Sequence, residues 1–171
     1  MEKTLAVINQ MQADGVIGQY AIGGAIAAFF YIEPAATYDI DIFITLEPGS
    51  GGLIILTPIY DYLREKGYRE EGETVMIEGW AVQFLPAFDA LLQEAMKNAA
   101  TIEYKGISIR ILKAEYLMAI SLQTGRGKDF ARLVQFVEFE VADRDYLKDI
   151  LARHHLDGKW QTFENRFLKN Q

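Results

Sequence analysis

The residues from Tyr38 to Leu46 constrain the chain more than any others. Apolar side chains fall on alternate positions, Tyr38, Ile40, Ile42, Ile44 and Leu46, while Asp39, Asp41, Phe43 and Thr45 take the positions between them. Side chains on a strand alternate between faces, so the pattern predicts a strand with one aliphatic face and two acids together on the other. Cα atoms two residues apart on a strand lie roughly 6–7 Å from each other, so both carboxylates can reach one cation. Hard Mg2+ prefers carboxylate, phosphate and water oxygens. Acids at the end of a strand are also often simply solvated, and Asp-x-Asp by itself does not separate the two readings. The aliphatic face favours a central strand, where two unpaired carboxylates are expensive without a cation.

The segment before this strand is short and apolar from Gln19 to Ile22, then meets Gly23-Gly24, then runs through Ala25, Ile26, Ala27, Ala28, Phe29, Phe30 and Tyr31. This composition predicts strand, glycine turn and helix, with Glu33-Pro34 closing the helix. Bare glycines let backbone N–H groups approach a phosphate at a helix start, and they equally serve a plain tight turn.

Other periodicities fill in the frame. Leu5, Ile8 and Met11, with Val7 beside them, predict a first helix ending at Asp14-Gly15. Pro48-Gly49-Ser50-Gly51-Gly52 predicts a loop. Thr57-Pro58 resembles an N-cap and first helical position for a helix to Lys66 and Gly67, and Leu53 to Leu56 suits either helix or strand. Thr74–Ile77 and Trp80–Leu85 flank Glu78-Gly79 as a hairpin, and Pro86 is expected to open a helix through about Ala99. Thr101–Tyr104 and Ile107–Leu112 flank Lys105-Gly106 as a second hairpin or edge pair. From Lys113 the chain reads as helical, with breaks near Gly125-Arg126-Gly127, Ala142-Asp143 and Asp157-Gly158. The expected class is α/β (α+β): a mixed-sheet core over residues 1–112 and a helical region over 113–171 packed on it.

With 171 residues, half of them hydrophobic, the chain can bury one main core. Asp and Glu outnumber Lys and Arg by 24 to 17, and a net charge of −7 gives no long-range attraction to nucleic-acid phosphates. The absence of cysteine excludes disulfides, thiolate metal sites and a cysteine nucleophile, and fits a cytoplasmic location. Tyr20 to Ile32 is too short for a membrane helix, and Met-Glu-Lys-Thr at the start lacks the apolar stretch of a signal peptide.

The order of these features is more specific than any one of them. Ile22-Gly23-Gly24-Ala25-Ile26-Ala27 followed by Thr37-Tyr38-Asp39-Ile40-Asp41-Ile42-Phe43 resembles the nucleotidyltransferase superfamily typified by DNA polymerase β-like enzymes. Within it the text is most similar to small bacterial nucleotidyltransferase-like proteins, including the AbiEii-type toxin group. Lys113-Ala114-Glu115-Tyr116-Leu117-Met118-Ala119 and Gly125-Arg126-Gly127-Lys128-Asp129-Phe130-Ala131-Arg132 resemble the helices that close the site in that group. The resemblance implies a four- or five-stranded mixed sheet with helices on one side. It implies Mg2+ on the paired acids and transfer of a nucleoside monophosphate from a triphosphate to an acceptor. Carried over by position, Asp39 and Asp41 hold the metal and serve catalysis, and Gly23, Gly24, Thr37 and Lys128 belong to the nucleotide site. Such enzymes usually add a third carboxylate from a neighbouring strand, and the expected place holds Gln83. An amide cannot act as a base near neutral pH. Either Glu78 or Asp89 compensates, or the protein is a catalytically degenerate module with a regulatory or partner-binding role, such as one half of a toxin–antitoxin pair. Gln83 is equally readable as an ordinary polar strand residue.

Arg126, Lys128 and Arg132 open a helix against the chain's negative background, although cations at a helix N-terminus are slightly unfavourable. They read as facing a triphosphate with Asp129 capping the helix or orienting one of them, or as a solvated face with local ion pairs; Lys113 is a weaker candidate. His154 and His155 are adjacent, lack metal-ligand spacing and read as surface residues. Trp80 and Trp160 read as core or interface. Trp160, Phe163, Phe167 and Leu168 form an apolar stripe that suits either a homodimer or another partner surface, or packing on the domain's own sheet.

Overall fold

A computed structural model of the chain describes residues 1–33, 37–45 and 56–169. Helix α1 spans Glu2–Ala13, strand β1 Tyr20–Ile22, helix α2 Gly24–Ala28 and strand β2 Asp39–Ile44. Helix α3 follows at Thr57–Glu65, then strands β3 Arg69–Glu71, β4 Thr74–Ile77 and β5 Trp80–Pro86. After helix α4, Ala90–Lys97, come strands β6 Ala100–Tyr104 and β7 Ile107–Ile111. Helices α5 Ala114–Thr124, α6 Gly127–Glu138, α7 Arg144–Arg153 and α8 Asp157–Phe163 complete the chain, with a π-helical turn at Glu164–Leu168.

The strands form a seven-stranded sheet in the order β3-β4-β5-β2-β1-β7-β6. β2 runs parallel to β5 and antiparallel to β1, while β1 is parallel to β7, so the sheet is mixed as expected. It is wider than the four or five strands the resemblance implies, because two hairpins extend it: β4–β5 with β3 beyond it, and β7–β6. Both hairpin turns are two residues long with positive φ throughout, 52° and 84° at Glu78-Gly79 and 50° and 79° at Lys105-Gly106. That twist matches strands joined by two residues.

β2 occupies the middle position, and Ile40, Ile42 and Ile44 are each 0% exposed. The alternation therefore reads true from Asp39 to Ile44, where one face of β2 is core and the other carries Asp39 and Asp41, while Tyr38, expected on the apolar face, lies before the strand and is 89% exposed. Leu5, Ile8 and Met11 of α1 are also fully buried, and Thr4 Oγ1 donates to the Ile77 carbonyl at 3.1 Å, tying α1 to β4.

Helix α5 is the hub of the helical region. Eight of its eleven residues are buried, and it touches α2, α4, α6, α7 and α8. A helix apolar nearly all round must be enclosed by its neighbours. Its one buried acid, Glu115, accepts the Asp143 backbone N–H at 2.9 Å and so ties α5 to the start of α7.

Several local expectations need correction. Pro86 closes β5 rather than opening a helix, and Asp89 caps α4 by accepting the Leu92 N–H at 2.7 Å. Proline costs a ladder only its N–H, which a strand end can spare. Leu56 is the cap of α3, which moves Thr57 inside the helix. The helix after the glycines stops at Ala28 instead of Tyr31. Asp157-Gly158 begins α8, and the break before it lies at the left-handed residue His155, φ 56°. His154 is only 12% exposed in its side chain, with Nε2 2.8 Å from Glu94 Oε2, so it is not a surface residue. The aromatic stripe packs within the chain: the Phe130 ring on α6 stacks on Phe167 at 5.2 Å and on Phe163 at 6.1 Å. Pro34, Leu46, the Pro48–Gly52 loop and Leu53 to Ile55 lie outside the described residues.

Candidate functional site

Asp39 and Asp41 sit on the same face of β2, and the parallel ladder with β5 sets Asp41 beside Gln83. Thr37 donates from Oγ1 to Asp39 Oδ1 at 2.9 Å, which fixes one oxygen of that carboxylate. The Asp41 carboxylate accepts no hydrogen bond among the described residues. Burial pushes its carboxyl above the ordinary aspartate range, the charge of Asp39 adds to this, and Lys128, Arg132 and Arg126 pull it partly back.

The glycine pair has a steric cause inside the fold. A Cβ on Gly23 would stand 2.3 Å from the Phe43 ring, and one on Gly24 would stand 1.8 Å from Asp41 Oδ2. Gly24 also has φ of +56°, a conformation that other residues adopt at a cost. The bend thus lets the Asp41 carboxylate lie against bare backbone, and the Gly23 N–H donates to the Asp41 carbonyl at 2.9 Å. Helix α2 behind it has only five residues, so its dipole is short.

Opposite the acids stands the start of α6. The Asp129 carboxylate is 2% exposed and accepts from Arg126 Nε at 2.7 Å and from the Arg126 backbone N–H at 3.3 Å. Burial raises the pKa of Asp129, but the bonds from Arg126 and Thr124 and the Arg126 charge outweigh it and hold it below its usual value. Asp129 therefore both caps α6 and restrains Arg126, as the sequence suggests. Lys128 and Arg132 hold no ion pair among the described residues.

These groups line one cleft of about 520 Å³. Gly24, Thr37, Asp39, Asp41, Gln83, Arg126, Lys128, Asp129 and Arg132 all face it, so most of the residues singled out in the sequence converge. Gly23 and Lys113 are not among its lining residues, and Lys113 Nζ stands 5.8 Å from the Tyr146 ring instead. Of the acids offered as replacements for the third carboxylate, Asp89 lines the cleft but is engaged in capping α4 and in a 3.3 Å bond from Gln123. Glu78 is bonded to the Tyr68 hydroxyl at 3.0 Å and is not a lining residue. Among the described residues no group of three His, Cys, Asp or Glu side chains gathers closely enough to share an ion.

The sequence reading missed the cleft's far wall: Leu85, Phe88 and Leu92 from around β5 and α4, and Leu117, Ile120, Ser121, Gln123 and Thr124 from α5. Phe88 is 70% exposed, an aromatic ring left bare beside the opening. No periodicity marks it, since it lies in the link between β5 and α4. Another residue missed is Glu73, between β3 and β4, whose Oε2 accepts from Gln83 Nε2 at 3.2 Å.

Two carboxylates, one of them unbonded and raised by burial and by its neighbour, form a donor set that fits a hard divalent cation. The fit is incomplete in one respect, since the protein contributes two acids rather than three.

Solved structures of similar shape give the fold its relatives. An antigenic nucleotidyltransferase-like protein from Paracoccidioides brasiliensis superposes with a TM-score of 0.56 over 95% of this chain and 92% of that one, at 12% identity. The antibiotic-resistance factor ANT(2'')-Ia, in its solution structure, superposes at 0.52 over 96% of this chain and 95% of that one, at 15% identity. The fold is nucleotidyltransferase-like. Identities of this size establish the architecture alone. No protein-family model matches the sequence, and no curated protein matches it. Among the described residues no helix is long and apolar enough to cross a membrane.

Proposed function

We propose that the cleft binds a nucleoside triphosphate together with Mg2+, and that the protein transfers the nucleoside monophosphate to an acceptor. The supporting observation is the opposition of charge across one cavity, with Asp39 and Asp41 on β2 and Arg126, Lys128 and Arg132 on and beside α6. A cation with a polyphosphate needs both walls: carboxylates for the metal and cations for the phosphate oxygens. Bound Mg2+ would supply charge neutralisation at the phosphates, with Asp39 and Asp41 as its holders. Thr37 orients Asp39, Asp129 restrains Arg126, and Lys128 and Arg132 are left to meet phosphate oxygens.

In the transfer, an acceptor oxygen bonds to the α-phosphorus, the bond to the bridging oxygen breaks and pyrophosphate leaves. The acceptor's proton needs a base, and here Gln83 favours a second reading. With an amide beside Asp41 and no third acid gathered there among the described residues, a catalytically degenerate module that binds the nucleotide and acts through a partner protein suits the site. The finer likeness to AbiEii-type toxins and toxin–antitoxin pairs belongs to this reading. Phe163 and Phe167 of the aromatic stripe meet Phe130 of α6, while Trp160 and Leu168 line a separate cavity.

The test is thermal unfolding with each nucleoside triphosphate, with and without Mg2+. A ligand at a hundred times its Kd stabilises the native state by about 2.7 kcal/mol. For a domain of this size that is about 5–11 °C in Tm. The shift should need Mg2+, vanish in Asp39→Asn and Asp41→Asn, and shrink in Lys128→Ala and Arg132→Ala. No shift with any triphosphate at millimolar Mg2+ removes both readings. A shift without pyrophosphate release from any acceptor mixture keeps only the second.

A further inference from the structure

Among the described residues the Gln83 side chain has one hydrogen bond, and its partner is neither of the two aspartates. Its Nε2 donates to Glu73 Oε2 at 3.2 Å, although the parallel ladder places Asp41 directly beside it. An ionised carboxylate only accepts hydrogen bonds, so Glu73 can be met only by the NH2 end of the amide. Flipping the amide would set its carbonyl oxygen against a carboxylate oxygen, which electrostatics forbids. The nitrogen and oxygen of an amide diverge, and Gln83 lines the cleft while Glu73 does not. With the nitrogen committed to Glu73, the carbonyl oxygen has no hydrogen-bond partner among the described residues.

We infer that Gln83 supplies a neutral oxygen to the cation held by Asp39 and Asp41, and that Glu73 is the positioning residue that keeps the amide turned that way. The inference rests on the metal-binding reading above and deepens it. An oxygen turned toward two carboxylates is favourable only with a positive charge between them, whereas the NH2 group would gain by turning to Asp41 if no cation were meant to share the site. Donation to an anion also polarises the amide and strengthens its oxygen as a ligand. Groups that orient a metal ligand in this manner influence affinity without touching the metal. The chain thereby completes its donor set with a group that cannot take a proton, which sets a third ligand apart from a third acid.

Mn2+ binding to the whole chain, followed by the loss of the free-ion electron paramagnetic resonance signal, tests this without any turnover. Asp41→Asn should abolish binding, which establishes the site. Gln83→Ala and Glu73→Ala should each weaken Mn2+ by about three- to tenfold, the worth of one hydrogen-bonding interaction. Glu73→Gln should fall between the parent and Glu73→Ala, because its carbonyl can still accept from Gln83 while its NH2 group no longer excludes the flipped amide. The double variant Glu73→Ala with Gln83→Ala should bind no more weakly than Gln83→Ala alone. If Glu73→Ala weakens Mn2+ further in the Gln83→Ala background, the residue acts by charge and the positioning role is overturned. Unchanged affinity in Gln83→Ala with binding still abolished in Asp41→Asn overturns the oxygen donor and leaves the two-acid site intact. No Mn2+ binding by the parent chain overturns this inference and the reading beneath it together.

Discussion

Replacing Gly24 by alanine should damage the protein for two separable reasons, and the geometry says how to separate them. The first is conformational: at φ +56° a side chain meets its own backbone, which costs about 1–2 kcal/mol. The second is contact: the new Cβ would lie 1.8 Å from Asp41 Oδ2 and 2.8 Å from its Cγ, so the carboxylate must move. Residues in direct contact typically couple by about 0.5–3 kcal/mol. In an Asp41→Ala background the clashes with Oδ2 and Cγ are gone and only a 3.2 Å contact with the Cβ is left beside the first cost, so Gly24→Ala should lose about 2–8 °C of Tm at 2–4 °C per kcal/mol. In the parent the same change should cost more by the coupling. Asp41→Asn retains an atom at the Oδ2 position and removes the charge, so there Gly24→Ala should cost as much as in the parent. Urea unfolding of the six proteins with chelator present at pH 7 gives the cycle directly. Equal cost of Gly24→Ala in all three backgrounds would show that the glycine is kept for its backbone angle alone, and that Asp41 does not rest against it.

Asp41→Asn alone should stabilise the metal-free protein at neutral pH. Its carboxyl is raised in the folded state above the ordinary 3.8, so the native chain binds more protons than the unfolded one, and stability falls as pH rises through the folded pKa. Tm profiles of parent and variant should converge below about pH 4 and separate above it, and parallel profiles would contradict the burial of that charge. Glu94 behaves oppositely: chiefly through its bond from Arg153, opposed by burial and aided by Tyr116 and His154, it is lowered from 4.5 to about 2. The stability it contributes is present above pH 4.5 and lost as pH falls toward 2. Glu94→Gln should therefore flatten acid unfolding in that window, read by circular dichroism against pH.

Where the sequence is most periodic it foretells the structure best. The alternation through Tyr38 to Leu46 and the Glu78-Gly79 and Lys105-Gly106 turns foretell β2 and both hairpins, because one residue period or one turn conformation decides each. β3 escapes notice because Arg69, Glu70 and Glu71 are all exposed and charged, as suits an edge strand that must not recruit another chain. Pro86 misleads because proline serves a helix start and a strand end equally. Within the site, the acids and the cations of α6 are legible because they break the pattern around them. Phe88 and Glu73 are not, since each owes its place to a connection whose path only the folded chain reveals.

The cleft draws its negative wall from residues 39 and 41 and its positive wall from residues 126 to 132, on opposite sides of the boundary between sheet and helical region. During synthesis the acids emerge long before the helix that answers them. A chain halted after β7 would own the whole sheet and still present two carboxylates with no counterpart. The two-sided cleft is then a late feature of the fold, complete only once α5 has packed among its neighbours and brought α6 over the strand.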